Sequence, residues 1–227
     1  MVNAEWSIEN KELSVPENKH PAIIRFFAHL FSYLFHPLFI PLYVTWFLAF
    51  VHTSYFSGYS VQQKTWLLVR VSYTMIFFPL ITVLLLKGLG FIQSIFLKTQ
   101  KDRIIPYIAS GIFFFWVYLV FRNQREIPSI LTSFTFAVFI SSSAALIANI
   151  YFKISMHAIG MGGVIGLFLM IMLQDMMLMT VPLSIAFLIT GLVCTSRMIV
   201  SDHQPKEIYA GLLLGITCQL VAAVIYL

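Results

Sequence analysis

From Ile23 to Leu227 the chain is a succession of long apolar blocks separated by short polar breaks. An α-helix needs about 20 apolar residues to cross the roughly 30 Å hydrocarbon layer of a bilayer, so blocks of this length predict membrane-spanning helices. Seven candidates follow: roughly Ile23–Val51, Trp66–Leu86, Tyr107–Phe121, Ile130–Phe152, His157–Leu173, Leu178–Val193 and Ile208–Leu227. The first contains His36, Pro37 and Pro41. Proline removes a helix donor, so this block is either one kinked span or two half-helices that do not cross. The expected fold class is therefore all-α, a polytopic transmembrane helix bundle of six or seven spans. Residues 1–22, which include Glu5, Glu9, Lys11, Glu12, Glu17 and Lys19, read as a polar N-terminal tail. They lack the basic-then-apolar plan of a cleavable signal peptide. Residues 23–227 read as a single transmembrane domain. Gly162 and Gly166, like Gly211 and Gly215, stand at the four-residue spacing that lets membrane helices approach closely.

Composition agrees with this pattern. Hydrophobic residues make up 59% of the chain and charged residues 10%, a balance that excludes a water-soluble globule with an ordinary polar surface. The net charge of +5 does not imply nucleic acid, because the basic residues sit in short loops between apolar blocks. Orientation in the membrane, anionic lipid or phosphate accounts for them better. Cys194 and Cys218 lie inside apolar segments without zinc-ligand spacing and read as small apolar residues.

Alternate loops of a membrane bundle share a face. Counting crossings puts the loop around 98–106, the break at 153–157 and the loop at 197–207 together. Of the 13 charged residues after position 97, that face collects nine: Lys98, Lys101, Asp102, Arg103, Lys153, Arg197, Asp202, Lys206 and Glu207. A positive-inside loop set explains that number as well as a site does, so the neighbouring residues must separate the two.

In the last loop, Arg197 offers a planar fork of donors suited to phosphate, His203 can act as a nucleophile, and Glu207 can accept a hydrogen bond from its ring. Pro205 suits the first turn of a helix, which leaves His203 just ahead of a helix N-terminus where an anion is favoured. The bland alternative makes Arg197 a snorkelling anchor and Glu207 a first-turn carboxylate. In the second segment, Ser155 suits an N-cap and His157 would sit beside any anion bound there as a proton donor. In the third, Lys98, Lys101 and Arg103 precede Pro106, read as a helix-starting proline, and form a cationic cup that either clamps phosphate or obeys the inside rule.

In this order and on one face, the three segments resemble the type 2 phosphatidic acid phosphatase family, a superfamily of membrane lipid phosphatases and haloperoxidases. Its pattern has a Lys…Arg-Pro element, a Ser-Gly-His element, and Ser-Arg followed by five residues, His, three residues and Asp. Here Ser196, Arg197 and His203 keep the third spacing, with Glu207 in place of Asp. Ser155 and His157 keep the second, with Met156 in place of glycine. Arg103 keeps the first, its proline displaced to Pro106, and either Lys98 or Lys101 can take the lysine's role.

The resemblance implies an integral membrane phosphatase that hydrolyses a phosphomonoester or diphosphate of a lipid without cofactor or metal. His203 would attack phosphorus to give a phosphohistidine, with Glu207 orienting its ring and His157 protonating the leaving group. Lys98 or Lys101, Arg103, Ser155 and Arg197 would hold the phosphoryl oxygens. Arg103, His157, Arg197 and His203 should then converge on one cavity, and a membrane lipid phosphate would be the partner. The implied location is a bacterial plasma membrane with the site facing outward. The alternative is a catalytically impaired relative that acts as a lipid-binding scaffold or transporter. His29, His36 and His52 belong to the first block and its exit, away from the three segments, and are expected to be structural.

Overall fold

The computed structural model describes residues 20–95, 97, 99–174, 179–200 and 203–227. Apart from its last three residues, the polar tail lies outside them. Every regular element among the described residues is helical.

The first apolar block folds as two short helices and not as a span. Helix α1 (Ala22–Leu34) stops where Phe35 and His36 lead into Pro37, because the residue before a proline is pushed out of helical geometry. Its 13 residues reach only about 20 Å at 1.5 Å per residue, too little for a bilayer. Helix α2 (Ile40–Trp46) carries Pro41 in its first turn, where no amide is needed, and continues as a π turn through Val51. Among the described residues six helices are long and apolar enough to cross: α3 (Val61–Gly88), α4 (Gln100–Arg122), α5 (Ser129–Tyr151), α6 (Met156–Gln174), α7 (Thr180–Val200) and α8 (Pro205–Tyr226). The protein is thus an integral membrane protein with six candidate spans.

Two helices begin earlier than hydropathy alone places them, and caps explain both. The Ser60 hydroxyl accepts from the Gln63 amide at 3.2 Å while the Gln63 side chain accepts from the Ser60 amide at 2.8 Å. This reciprocal pair starts α3 at Val61 and not at Trp66. At the head of α4 the Thr99 hydroxyl accepts from the Asp102 amide at 3.1 Å. The cap draws residues 100–106 into the helix, so Pro106 does not start it but lies in its interior.

The outward surface of the bundle is strongly apolar, and the interior combines a hydrophobic core with small polar side chains. Ile150, Val181 and Val224 project outward, whereas Thr132, Ser133, Thr135, Ser141, Ser142 and Asn149 of α5 are buried. Hydrocarbon supplies no hydrogen bonds, so small polar side chains turn inward and bond to helix carbonyls or to one another. The Gln219 amide, for example, donates to the Ser133 hydroxyl at 3.3 Å.

Helices α6 and α8 pack backbone to backbone, and their glycines set the separation. A methyl group at Gly215 would overlap the Ile159 carbonyl oxygen, and one at Gly162 would overlap the Leu212 carbonyl oxygen. The backbones therefore touch. We expect Gly215→Leu to force the two helices apart, at a cost of about 1–3 kcal/mol or more. Gly88→Leu at the exposed end of α3, where nothing lies within 4 Å, should leave the melting temperature in detergent unchanged. Equal melting temperatures for the two variants would contradict this contact. The α6–α8 contact fixes the relative positions of His157, near the start of α6, and Glu207, in the first turn of α8.

Candidate active site

The three polar segments meet at one end of the bundle, joined by backbone groups. The Arg103 guanidinium Nη1 donates to the Ile154 carbonyl at 3.1 Å, which ties the head of α4 to the loop before α6. The Ser155 amide donates to the Glu207 carbonyl at 3.3 Å, which ties that loop to α8. Leu97 adopts the left-handed backbone region (φ 48°), and its carbonyl accepts from Arg103 Nε at 2.8 Å. Two sides of the Arg103 fork are thereby fixed on backbone oxygens.

Arg103, His157, Arg197 and His203 all line one cavity of about 530 Å³, within the size range of small-molecule sites. Each of the two histidines is held in a defined tautomer. His203 Nδ1 lies 2.9 Å from Glu207 Oε2, and a carboxylate only accepts, so the proton sits on Nδ1 and the lone pair on Nε2. The same carboxylate oxygen accepts from the Gln204 amide at 3.1 Å, and Gln204 caps α8 with Pro205 as its first residue. Glu207 thus serves both the helix cap and the imidazole. His157 Nε2 lies 3.0 Å from the Ser32 carbonyl oxygen, which again only accepts, so Nε2 carries the proton and Nδ1 the lone pair. The Ser32 hydroxyl also accepts from Arg197 Nη1 at 2.6 Å. One residue of α1 therefore positions both the guanidinium and the second histidine.

Burial pushes the His203 imidazole below its ordinary value. The bond to Glu207 opposes this, and the charges of Arg103, Arg197 and Lys153 reinforce it. The neutral, nucleophilic form is therefore retained at pH values below the ordinary histidine range near 6.5. Replacing Glu207 with Gln keeps an acceptor but removes its negative charge, which weakens the interaction that raises the value. The acid limb of any His203-dependent rate should move further toward low pH while the plateau falls. A limb that moved upward would contradict this electrostatic arrangement.

The remaining sequence-derived residues fall differently. Ser155 is fully buried and its hydroxyl has no protein partner among the described residues, so it does not make the N-cap bond expected of it. Its carbonyl instead lies where a methyl at Gly211 would press on it at 2.7 Å, because the close α6–α8 approach turns Ser155 toward α8 and off the cavity wall. Lys101 is exposed in the first turn of α4 and does not line the cavity. Lys98 lies outside the described residues, as does Asp202.

His36 requires a correction. It was expected to be structural and remote, yet its ring stands 5.3 Å from that of His157, edge to face, and lines the same cavity. The reason is the break at Pro37, which ends α1 beside the head of α6. His29, stacked on Tyr33, and His52, bonded to Ser54, lie apart from the cavity. Ser32 and His36 are thus the site residues that sequence reasoning missed. The His36-Pro37 pair at the helix break was their only local signal.

The cavity has a second, apolar wing. Pro79, Leu80 and Leu84 of α3 line it together with Phe114 of α4 and Val138 of α5, and Leu80 and Leu84 are exposed. The charged groups at the helix ends and the apolar side chains of α3, α4 and α5 therefore line one continuous cavity.

Residues 105–203 match the family model described as the 4TM region of DNA translocase FtsK/SpoIIIE, a stretch of fewer than half of the 227 residues. No curated protein and no solved structure matches the chain. This finding corrects the family resemblance drawn from the three motifs, since the family model that matches is a membrane region of a different kind and no phosphatidic acid phosphatase model does. The departures at Met156, Pro106 and Glu207 leave that motif incomplete, and the matched stretch is mostly the apolar helices α4 to α7.

Proposed function

We propose that the protein is a metal-independent membrane phosphatase that hydrolyses a phosphomonoester or diphosphate of a lipid through a phosphohistidine. The observation that carries this reading is the oriented His203–Glu207 pair opening on the same cavity as Arg103, Arg197 and His157. Phosphoryl transfer asks a protein mainly for positioning and for positive charge around the equatorial oxygens, and two guanidiniums supply that charge. His203 Nε2 attacks phosphorus as the bond to the leaving oxygen breaks, and Glu207 stabilises the charge that develops on the ring. The incoming phosphate monoanion first passes its proton to the His157 Nδ1 lone pair, the resulting imidazolium returns that proton to the leaving oxygen, and the neutral ring afterwards takes one from the water that cleaves the phosphohistidine, releasing inorganic phosphate. The apolar slot between α3, α4 and α5 suits a hydrocarbon chain attached to the phosphate.

For location we propose a bacterial plasma membrane with the site facing outward, and the six candidate spans support the membrane part of that placement. The competing reading is a membrane region that anchors or scaffolds without turnover, and the match to the FtsK/SpoIIIE membrane region favours it. Neutral imidazoles oriented by carboxylate and carbonyl favour chemistry, since an anchor needs neither. Purified protein in detergent should release inorganic phosphate from phosphatidic acid or a prenyl diphosphate without added metal. It should also trap an acid-labile, base-stable phosphoprotein on rapid quench. Absence of both phosphate release and labelling across lipid monophosphates and diphosphates would favour the scaffold.

A further inference from the structure

The break between α1 and α2 brings a third imidazole to the cavity, and its tautomer is fixed by the backbone. The Leu38 amide donates to His36 Nδ1 at 3.3 Å, so Nδ1 carries the lone pair and the ring's proton sits on Nε2, at its opposite edge. That edge belongs to a ring that lines the cavity and stands 5.3 Å from His157. Burial, then the Arg197 charge, pushes His36 down to about 4, so the ring stays neutral at physiological pH. A neutral imidazole is a poor proton source but a good fixed donor. Among the groups at this end of the cavity, Arg103 and Arg197 already spend donors on Leu97, Ile154 and Ser32. His157 offers a lone pair at Nδ1. The N–H of His36 therefore adds a donor on the His157 side, opposite in character to the lone pair beside it.

We propose that His36 is a further catalytic residue, a neutral donor whose Nε2–H binds an oxygen of the phosphoryl group beside His157. The inference rests on the phosphoryl-transfer reading above, and it predicts a donor requirement at one ring position. Extended glutamine places an amide N–H near where His36 has Nε2, whereas asparagine reaches only to the Nδ1 position.

Three variants, His36→Gln, His36→Asn and His36→Phe, are compared for kcat and KM on a lipid phosphate and for binding of inorganic phosphate by calorimetry. Melting temperature reports folding. His36→Gln is expected to stay within about tenfold of wild type, and His36→Asn and His36→Phe to lose about 100-fold in kcat/KM, the scale of one lost oxyanion donor. Both should also bind phosphate more weakly. The pH profile of His36→Gln should keep the wild-type limbs, because a neutral donor does not titrate in the working range. Should His36→Phe fail to fold, the Gln and Asn pair decides alone. Wild-type kinetics in His36→Asn, equal losses in the Gln and Asn variants, or a pH limb lost in His36→Gln would each overturn the proposal. Wild-type protein that binds phosphate in a His36-dependent way yet turns over no lipid phosphate would retain the donor and remove the phosphatase reading. Wild-type protein that binds no phosphate would remove both.

Discussion

Replacing His203 with alanine is expected to abolish phosphoryl transfer from every substrate, whereas replacing His157 should abolish it only where the leaving oxygen needs a proton. The asymmetry follows from the two orientations. His203 presents Nε2 as a lone pair because Glu207 holds the proton on Nδ1, which suits a group that forms the bond to phosphorus. His157, anchored through Nε2–H to the Ser32 carbonyl, presents an Nδ1 lone pair that takes a proton from the bound phosphate and hands it to the leaving oxygen. With a lipid alkoxide leaving, loss of general acid help costs about 100- to 10,000-fold, and both alanine variants should be nearly inactive. With an aryl phosphate, whose leaving group hardly needs protonation, His157→Ala should recover most of its phosphorylation step in a single-turnover experiment. His203→Ala should recover none of it. Rescue of His203→Ala alone would exchange the two roles, and wild-type rates in both variants would leave a membrane protein without this chemistry.

Arg197→Lys should reduce kcat/KM by about 100- to 1,000-fold although the charge is conserved, a loss on the scale of a missing transition-state donor. The guanidinium donates from Nη1 to the Ser32 hydroxyl at 2.6 Å and also lines the cavity. A planar fork can hold Ser32 with one prong and a phosphoryl oxygen with another, whereas a lysine ammonium is a point charge on a flexible stem. Because Ser32 also holds His157 through its carbonyl, the lysine variant should disturb the proton-transfer step as well as binding. Its loss on an aryl phosphate should then be smaller than its loss on a lipid phosphate. Equal activity of wild type and Arg197→Lys on both substrates would reduce Arg197 to a surface anchor.

The site divides along the distance in sequence between its parts. His203 and Glu207 are four residues apart around a helix start, Pro205 marks that start, and such local geometry is intrinsic to the chain, so this pair could be read from its spacing. The clustering of the 98–106, 153–157 and 197–207 segments was legible for a related reason. Apolar blocks must cross lipid, and alternate breaks then share a face. The glycine spacing in α6 and α8 was legible too, and only its partners were not: Gly215 faces Ile159, and Gly162 faces Leu212.

Other features had no local signature. Ser32 and His36 are more than 100 residues from His157 and reach it because α1 is too short to span and lies on α7, ending beside the head of α6. Ser155 had the right residue type for a cap, but the glycine-mediated contact of α6 with α8 turns it inward. Pro106 had the right type for a helix start, yet the Thr99 cap begins α4 earlier. Hydropathy and short-range spacing by themselves determined the membrane solvent, the helical class and the His203–Glu207 pair, because each depends on forces acting within one segment. Which distant side chains share the cavity was decided only by tertiary packing, because a contact across 125 residues, such as Ser32 with His157, exists only once the helices between them have docked.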